Sequence, residues 1–159
     1  MAFFEEWVLK DSIEIKTTAE KIFTFFNSII DDESYRAWHT EDHVSLRWLK
    51  GNPWTEGSVV YAEEYIHGKL HKLKFKISKI VPGERIEYTP TSRFAQFFFP
   101  KNEFIIEQKG EFCVFTASGT YRVGKLGKIF FKKAIEKGLS SVRKHMREEG
   151  INLKNILES

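Results

Sequence analysis

His145 and Glu149 stand four residues apart in a stretch whose apolar positions Leu139, Val142, Met146 and Leu153 recur at three, four and seven. Four residues advance an α-helix by ~400°, so the imidazole and the carboxylate point the same way, about one turn apart. Both lie on the stripe expected to be buried. The segment Trp38-His39-Thr40-Glu41-Asp42-His43 sets two more imidazoles around an acidic pair. Glu64 is the third candidate: Val60, Ala62, Glu64 and Ile66 alternate as the inner face of a strand, while Tyr61, Glu63 and Tyr65 point the other way. A carboxylate turned into an apolar interior is costly without a partner. A metal ion would satisfy such groups together. Imidazole and carboxylate suit Zn²⁺ at about 2.0–2.2 Å, and two glutamates would balance its charge. Iron and manganese accept the same donors. Each group also has an ordinary reading: Glu149 paired with His145 or with a neighbour such as Arg147, and residues 38–43 as a surface loop.

The run Phe94-Ala95-Gln96-Phe97-Phe98-Phe99-Pro100 does not alternate and ends at a proline, which reads as a loop or strand edge. It is a candidate lid, homodimer contact or membrane-touching patch. The ordinary reading packs it beneath the last helix through Phe130 and Phe131. Lys125, Lys128, Lys132, Lys133 and Lys137 are expected on the outer face of that helix. Gly119, Gly124 and Gly127 do not have the spacing of a phosphate-binding loop, and there is no Gly-x-Ser-x-Gly elbow.

The elements that must position these groups follow from periodicity. Val8 to Lys16 reads as a first strand. Thr17-Thr18-Ala19-Glu20 reads as a capping box opening a helix that carries Ile22, Phe23, Phe25 and Phe26 on one face. Asp31-Asp32-Glu33-Ser34 opens a second short helix ending near Trp38. Strands are then expected at 44–48, 58–67, 70–80, 85–88, 102–108, 112–117 and 118–123. Lys72, Lys74 and Lys76 alternate with Leu73, Phe75 and Ile77, the mark of a half-buried antiparallel strand. A long helix covers about 126–149 and is expected to stop at Gly150.

The chain has 159 residues, a net charge of +3, 42% apolar and 30% charged residues, and 15 phenylalanines. This composition is globular and does not call for a nucleic-acid partner. Cys113 is the only cysteine, which excludes an intrachain disulfide and a cysteine-based zinc cluster. No apolar run nears the ~18 residues of a membrane span, and Met1-Ala-Phe-Phe-Glu-Glu is not a secretory leader. The expectation is a single cytoplasmic domain, residues 1–159, without stable membrane insertion. Its fold class is α+β: a curved antiparallel sheet of about seven strands around a long C-terminal helix, with two short helices after the first strand. This order resembles the START-like, or Bet v 1-like, helix-grip fold of the polyketide-cyclase superfamily. The resemblance implies a deep apolar cavity between sheet and helix.

Tyr35-Arg-Ala-Trp38-His39-Thr-Glu-Asp42-His43, an inner-strand Glu64 and His145-Met-Arg-Glu-Glu149 are similar to motifs of the 2,4-diacetylphloroglucinol hydrolase family. That resemblance implies a zinc ion held by two histidines and two glutamates, here His39, Glu64, His145 and Glu149, with His43 the alternative first ligand. It implies hydrolysis of a carbon–carbon bond between an acyl group and a phenolic ring. The family also carries an extra N-terminal region that this sequence does not show. A metal in this setting polarises a ketone or activates water, and the departing carbon needs a proton, for which His43 and His71 are the candidates. Tyr35, Phe75 and Val142 are the candidate substrate-binding residues. The partner implied is a hydrophobic or aromatic small molecule. A carrier of apolar ligands and a protein-interaction module are the alternative classes.

Overall fold

A computed structural model describes residues 3–159. The chain runs β1 (Phe4–Ile15), α1 (Ala19–Asn27), α2 (Asp32–Trp38), β2 (His43–Lys50), β3 (Val59–Ile66), β4 (Lys69–Val81), β5 (Arg85–Pro90), α3 (Arg93–Phe98), β6 (Lys101–Lys109), β7 (Phe112–Gly124) and α4 (Lys125–Glu158). Seven antiparallel strands form one sheet in the order β1-β7-β6-β5-β4-β3-β2. α1 and α2 therefore link strands at opposite edges. This is the helix-grip, Bet v 1-like arrangement.

Alternation explains which strand faces are covered. Lys72, Lys74 and Lys76 are exposed, whereas Ile77 is buried and Leu73 and Phe75 are half-buried. Val60, Ala62 and Glu64 of β3 are buried on the same inner face. The two-residue turn between β3 and β4, His67-Gly68, has positive φ at both positions (57° and 72°). That geometry suits the twist of a tight hairpin, and His67 Nδ1 ties it to Ser141 Oγ of α4 at 2.8 Å.

The core is aromatic. Phe26, fully buried, stacks on Phe104 at 5.1 Å and meets Trp38 edge-on at 5.4 Å. Burial of each such side chain stabilises the fold by roughly 1.5–3 kcal/mol before the entropy of ordering it is counted. The C-terminal part of α4 closes this layer: Met146 and Leu153 are buried, and a Cβ on Gly150 would come within 3.3 Å of Ile13.

Several expectations need correction. Gly150 does not stop the last helix, which continues to Glu158, because its missing side chain is what lets α4 approach β1. The box at α1 is one-sided: Thr18 accepts from the Lys21 amide, with no return bond from Glu20. The reciprocal box is at α2, between Asp31 and Ser34. Residues 112–124 form one continuous strand rather than two. Residues 93–98, read as loop or strand edge, form the short helix α3, capped by Ser92. It does not pack beneath Phe130 and Phe131, which are exposed. Its ring contacts are with Phe4 instead.

Candidate metal centre

The carboxylates and imidazoles converge from three elements. His43 opens the edge strand β2 and pairs directly across from Glu64 on β3, while α4 supplies His145 and Glu149 one turn apart. One donor atom from each of these four buried residues lies within 4.8 Å of every other. His43 Nε2 is 2.9 Å from Glu149 Oε2 and 3.8 Å from Glu64 Oε2. His145 Nε2 is 3.3 Å from Glu149 and 3.6 Å from Glu64.

Hydrogen bonds on the far side set the tautomers. His43 Nδ1–H donates to the Tyr35 carbonyl at 2.9 Å, and the ring stacks on Tyr35 at 3.8 Å. His145 Nδ1–H donates to Asp42 Oδ2 at 2.8 Å. Both rings thus spend one N–H outward and turn Nε2 toward two carboxylates. A neutral ring so placed presents a lone pair to anionic oxygen, which is repulsive until a proton or a metal cation sits between them. An outward N–H to a carboxylate or carbonyl is also how proteins orient histidine ligands. The donor set fits a divalent cation.

The electrostatics show the same demand for positive charge. Burial opposes protonation of His145, but Glu149, Glu64 and the bond to Asp42 outweigh it and lift its pKa to about 11. Burial would raise the Glu149 carboxyl, yet His145 and His43 hold it well below the ordinary range. The Tyr35 hydroxyl donates to Glu64 Oε2 and is pushed up by burial and by the charges of Glu64 and Glu149. Trp38 Nε1–H donates to the Glu149 carbonyl at 3.0 Å, fastening α2 to α4 beneath the cluster.

His39 lies elsewhere. Its Nδ1 accepts from the Asp42 amide at 3.1 Å, and its Nε2–H donates to Glu148 at 2.8 Å. With both nitrogens occupied, the ring stacks behind His145 at 5.3 Å. Together with Asp42 it packs behind His145, and these three residues form a second group whose donor atoms lie within 4.8 Å of one another. His43 occupies the position expected of His39, through a β-bulge. The β2–β3 register slips between His43 and Ser45, so His43 and Leu46 both face inward although they stand an odd three positions apart.

With His43 behind them, Glu64, His145 and Glu149 of the cluster line an apolar cavity of about 320 Å³, at the small end of the range for small-molecule sites. Tyr35, Phe75 and Val142 line it, as do Trp54, Tyr88 and Phe104. His71 reaches only the rim: its side chain is exposed and Nε2 meets the Ile66 carbonyl at 3.3 Å. Asp42, singled out in the sequence only as one of an acidic pair, holds His145, and the residues that sequence reasoning passed over are Glu148, which holds His39, and Tyr88. Tyr88 shares the inward phase of Ile86, a signal that was available. Its hydroxyl is pushed well up by burial and by the charges of Glu149 and Glu64.

No protein-family profile matches the chain, and no curated protein does. Solved structures do match. The di-domain ARO/CYC BexL of the BE-7585A biosynthetic pathway superposes with a TM-score of 0.74 at 13% identity, covering 97% of this chain and 50% of BexL, so the chain spans half of that protein. The Zhui aromatase/cyclase from Streptomyces gives 0.71 at 13% identity, covering 97% of this chain and 94% of that one. Norcoclaurine synthase from Thalictrum flavum gives 0.66 at 13%, with 95% and 88% covered. At such identities the likeness establishes the Bet v 1-like, aromatase/cyclase type of fold, not an activity.

Proposed function

We propose that this protein is a metal-dependent hydrolase, with zinc the favoured ion, acting on a small acylated aromatic or polyketide-like compound. One observation carries the reading. Two imidazoles and two carboxylates meet beside an apolar cavity that Glu64, His145 and Glu149 line, with each imidazole already oriented from behind. A vessel for greasy ligands has no use for two buried carboxylates. The neighbours named as aromatase/cyclases and as norcoclaurine synthase agree with aromatic ligands in such a cavity. The similarity of residues 35–43, Glu64 and 145–149 to the 2,4-diacetylphloroglucinol hydrolase motifs supports the reaction class.

His43, Glu64, His145 and Glu149 would hold the ion, which supplies Lewis acidity toward a ketone oxygen or water. The chain's own groups do the rest. Phe75, Phe104 and Val142 enclose the aromatic ring and exclude water. Tyr35 holds Glu64 by its hydroxyl. Tyr88 stays neutral and offers a hydroxyl proton inside the cavity. In the overall reaction the water oxygen bonds to the acyl carbon and the bond to the ring carbon breaks. The ring carbon takes a proton, and a carboxylic acid leaves. His43, engaged at both nitrogens, serves as a ligand in this scheme rather than as the acid, and Tyr88 replaces it.

Elemental analysis of the purified protein tests the reading. About one equivalent of zinc is expected in the parent chain, and none in a His43→Ala/His145→Ala variant. Acylphloroglucinol-type ketones should then be cleaved by the parent alone. A parent that takes up no divalent ion after reconstitution would leave the cavity as a carrier.

A further inference from the structure

The first turns of α4 expose an apolar face. Leu126, Ile129 and Phe130 share one side of the helix and are 72%, 71% and 73% exposed, and Phe131 is 65% exposed. The patch continues across the molecule. The Lys125 amide bonds to the Phe3 carbonyl at 2.9 Å, and Phe4 next to it meets Phe97 of α3 at 4.9 Å. Phe94 of α3 is 76% exposed. An apolar surface of this extent is uncommon on a protein with nothing to bind it.

Its charge selects the occupant. Residues 125–137 carry Lys125, Lys128, Lys132, Lys133 and Lys137 against Glu136 alone. Among the described residues only Lys128 of the five forms an ion pair, with Glu5 at 3.0 Å. Lys125 and Lys128, before the break at Phe131, fall on one flank of the apolar side. The neighbouring Glu6 is taken by Arg122, whose guanidinium lies over Phe97 at 5.0 Å. Leucine, isoleucine and phenylalanine on one side with lysines beside them is the composition of a helix that lies in a lipid headgroup layer. A second copy of the chain would bring the same unpaired lysines against themselves. An anionic bilayer surface complements them.

We infer that α3 and the first turns of α4 dock peripherally on an anionic membrane surface. The docked face leads to the cavity: Phe99, directly after α3, and Val142, farther along α4, both line it. An apolar ligand dissolved in the lipid would therefore reach the cavity without crossing bulk water. This inference does not depend on the metal.

Co-sedimentation with vesicles tests it, comparing phosphatidylcholine alone with phosphatidylcholine containing phosphatidylserine. The protein is expected to bind only the anionic vesicles and to be released by high salt. Ile129→Glu/Phe130→Glu should abolish binding with the melting temperature and metal content unchanged, since these side chains touch little else. Lys132→Ala/Lys133→Ala should weaken it about fivefold per lysine. Equal binding to both vesicle types, or binding to neither, would overturn the inference. So would a salt-stable dimer in sedimentation velocity that Ile129→Glu/Phe130→Glu converts to monomer, for the face would then belong to a second copy.

Discussion

Beyond residue 139, α4 buries His145, Met146, Glu149, Gly150 and Leu153 against the sheet, whereas its first turns leave Leu126, Ile129, Phe130 and Phe131 in the open. Both stretches are amphipathic, and the non-helical Phe131 (φ −126°, ψ 23°), at the end of the exposed one, breaks the run. The contrast teaches that apolar periodicity marks a face that wants cover without saying what covers it. In the C-terminal stretch the cover is β1 and the cavity. In the first turns none of the described residues covers it.

The sharpest test of that contrast is stability. Leu153→Ala should cost about 2–5 kcal/mol, because a fully buried leucine leaves a cavity. Ile129→Ala should stay within about 0.5 kcal/mol. Urea unfolding of the two variants checks both, and similar losses would mean that the first turns are packed after all.

Asp42→Asn addresses the buried stretch alone. Asn keeps the size but loses the charge that accepts from His145 Nδ1. Zinc affinity by competition with a chelator should fall about 10–100-fold, the usual effect of removing such a partner, and vesicle binding should not change.

Smaller per step is the pH effect. In the metal-free protein His145 holds a proton up to about pH 11, and a metal ligand must give that proton up. Apparent zinc affinity should therefore rise about tenfold per pH unit for each proton released. The same raised pKa makes the metal-free fold more stable at low pH. This contribution is complete below the ordinary value of 6.5 and is lost as pH rises toward about 11. The metal-free melting temperature should fall across that window, and His145→Gln should flatten the slope.

The order of strands and helices was readable because alternation and a 3.6-residue period are local properties of the chain. So was the shared direction of His145 and Glu149, which any helix imposes on residues four apart, and the inward turn of Glu64, since β3 alternates without interruption. α3 was not readable: three phenylalanines in its six residues carry no helical contrast, and its capping Ser92 is a weak signal beside Pro100. Gly150 was misread because a helix-stop residue and a close-approach residue look alike until the neighbour, Ile13, is known.

Which imidazole joins the carboxylates was beyond local pattern. Strict alternation from Leu46 turns His43 outward, and only the register slip against β3 brings it across from Glu64. His39, meanwhile, is spent on its local partner Asp42 and on Glu148, which reaches it only once α4 lies beside α2. Periodicity thus told which side chains leave the backbone together. Strand register, which sets His43 against Glu64, and helix docking, which brings Glu149 to His43 across 106 positions, chose the ones that meet.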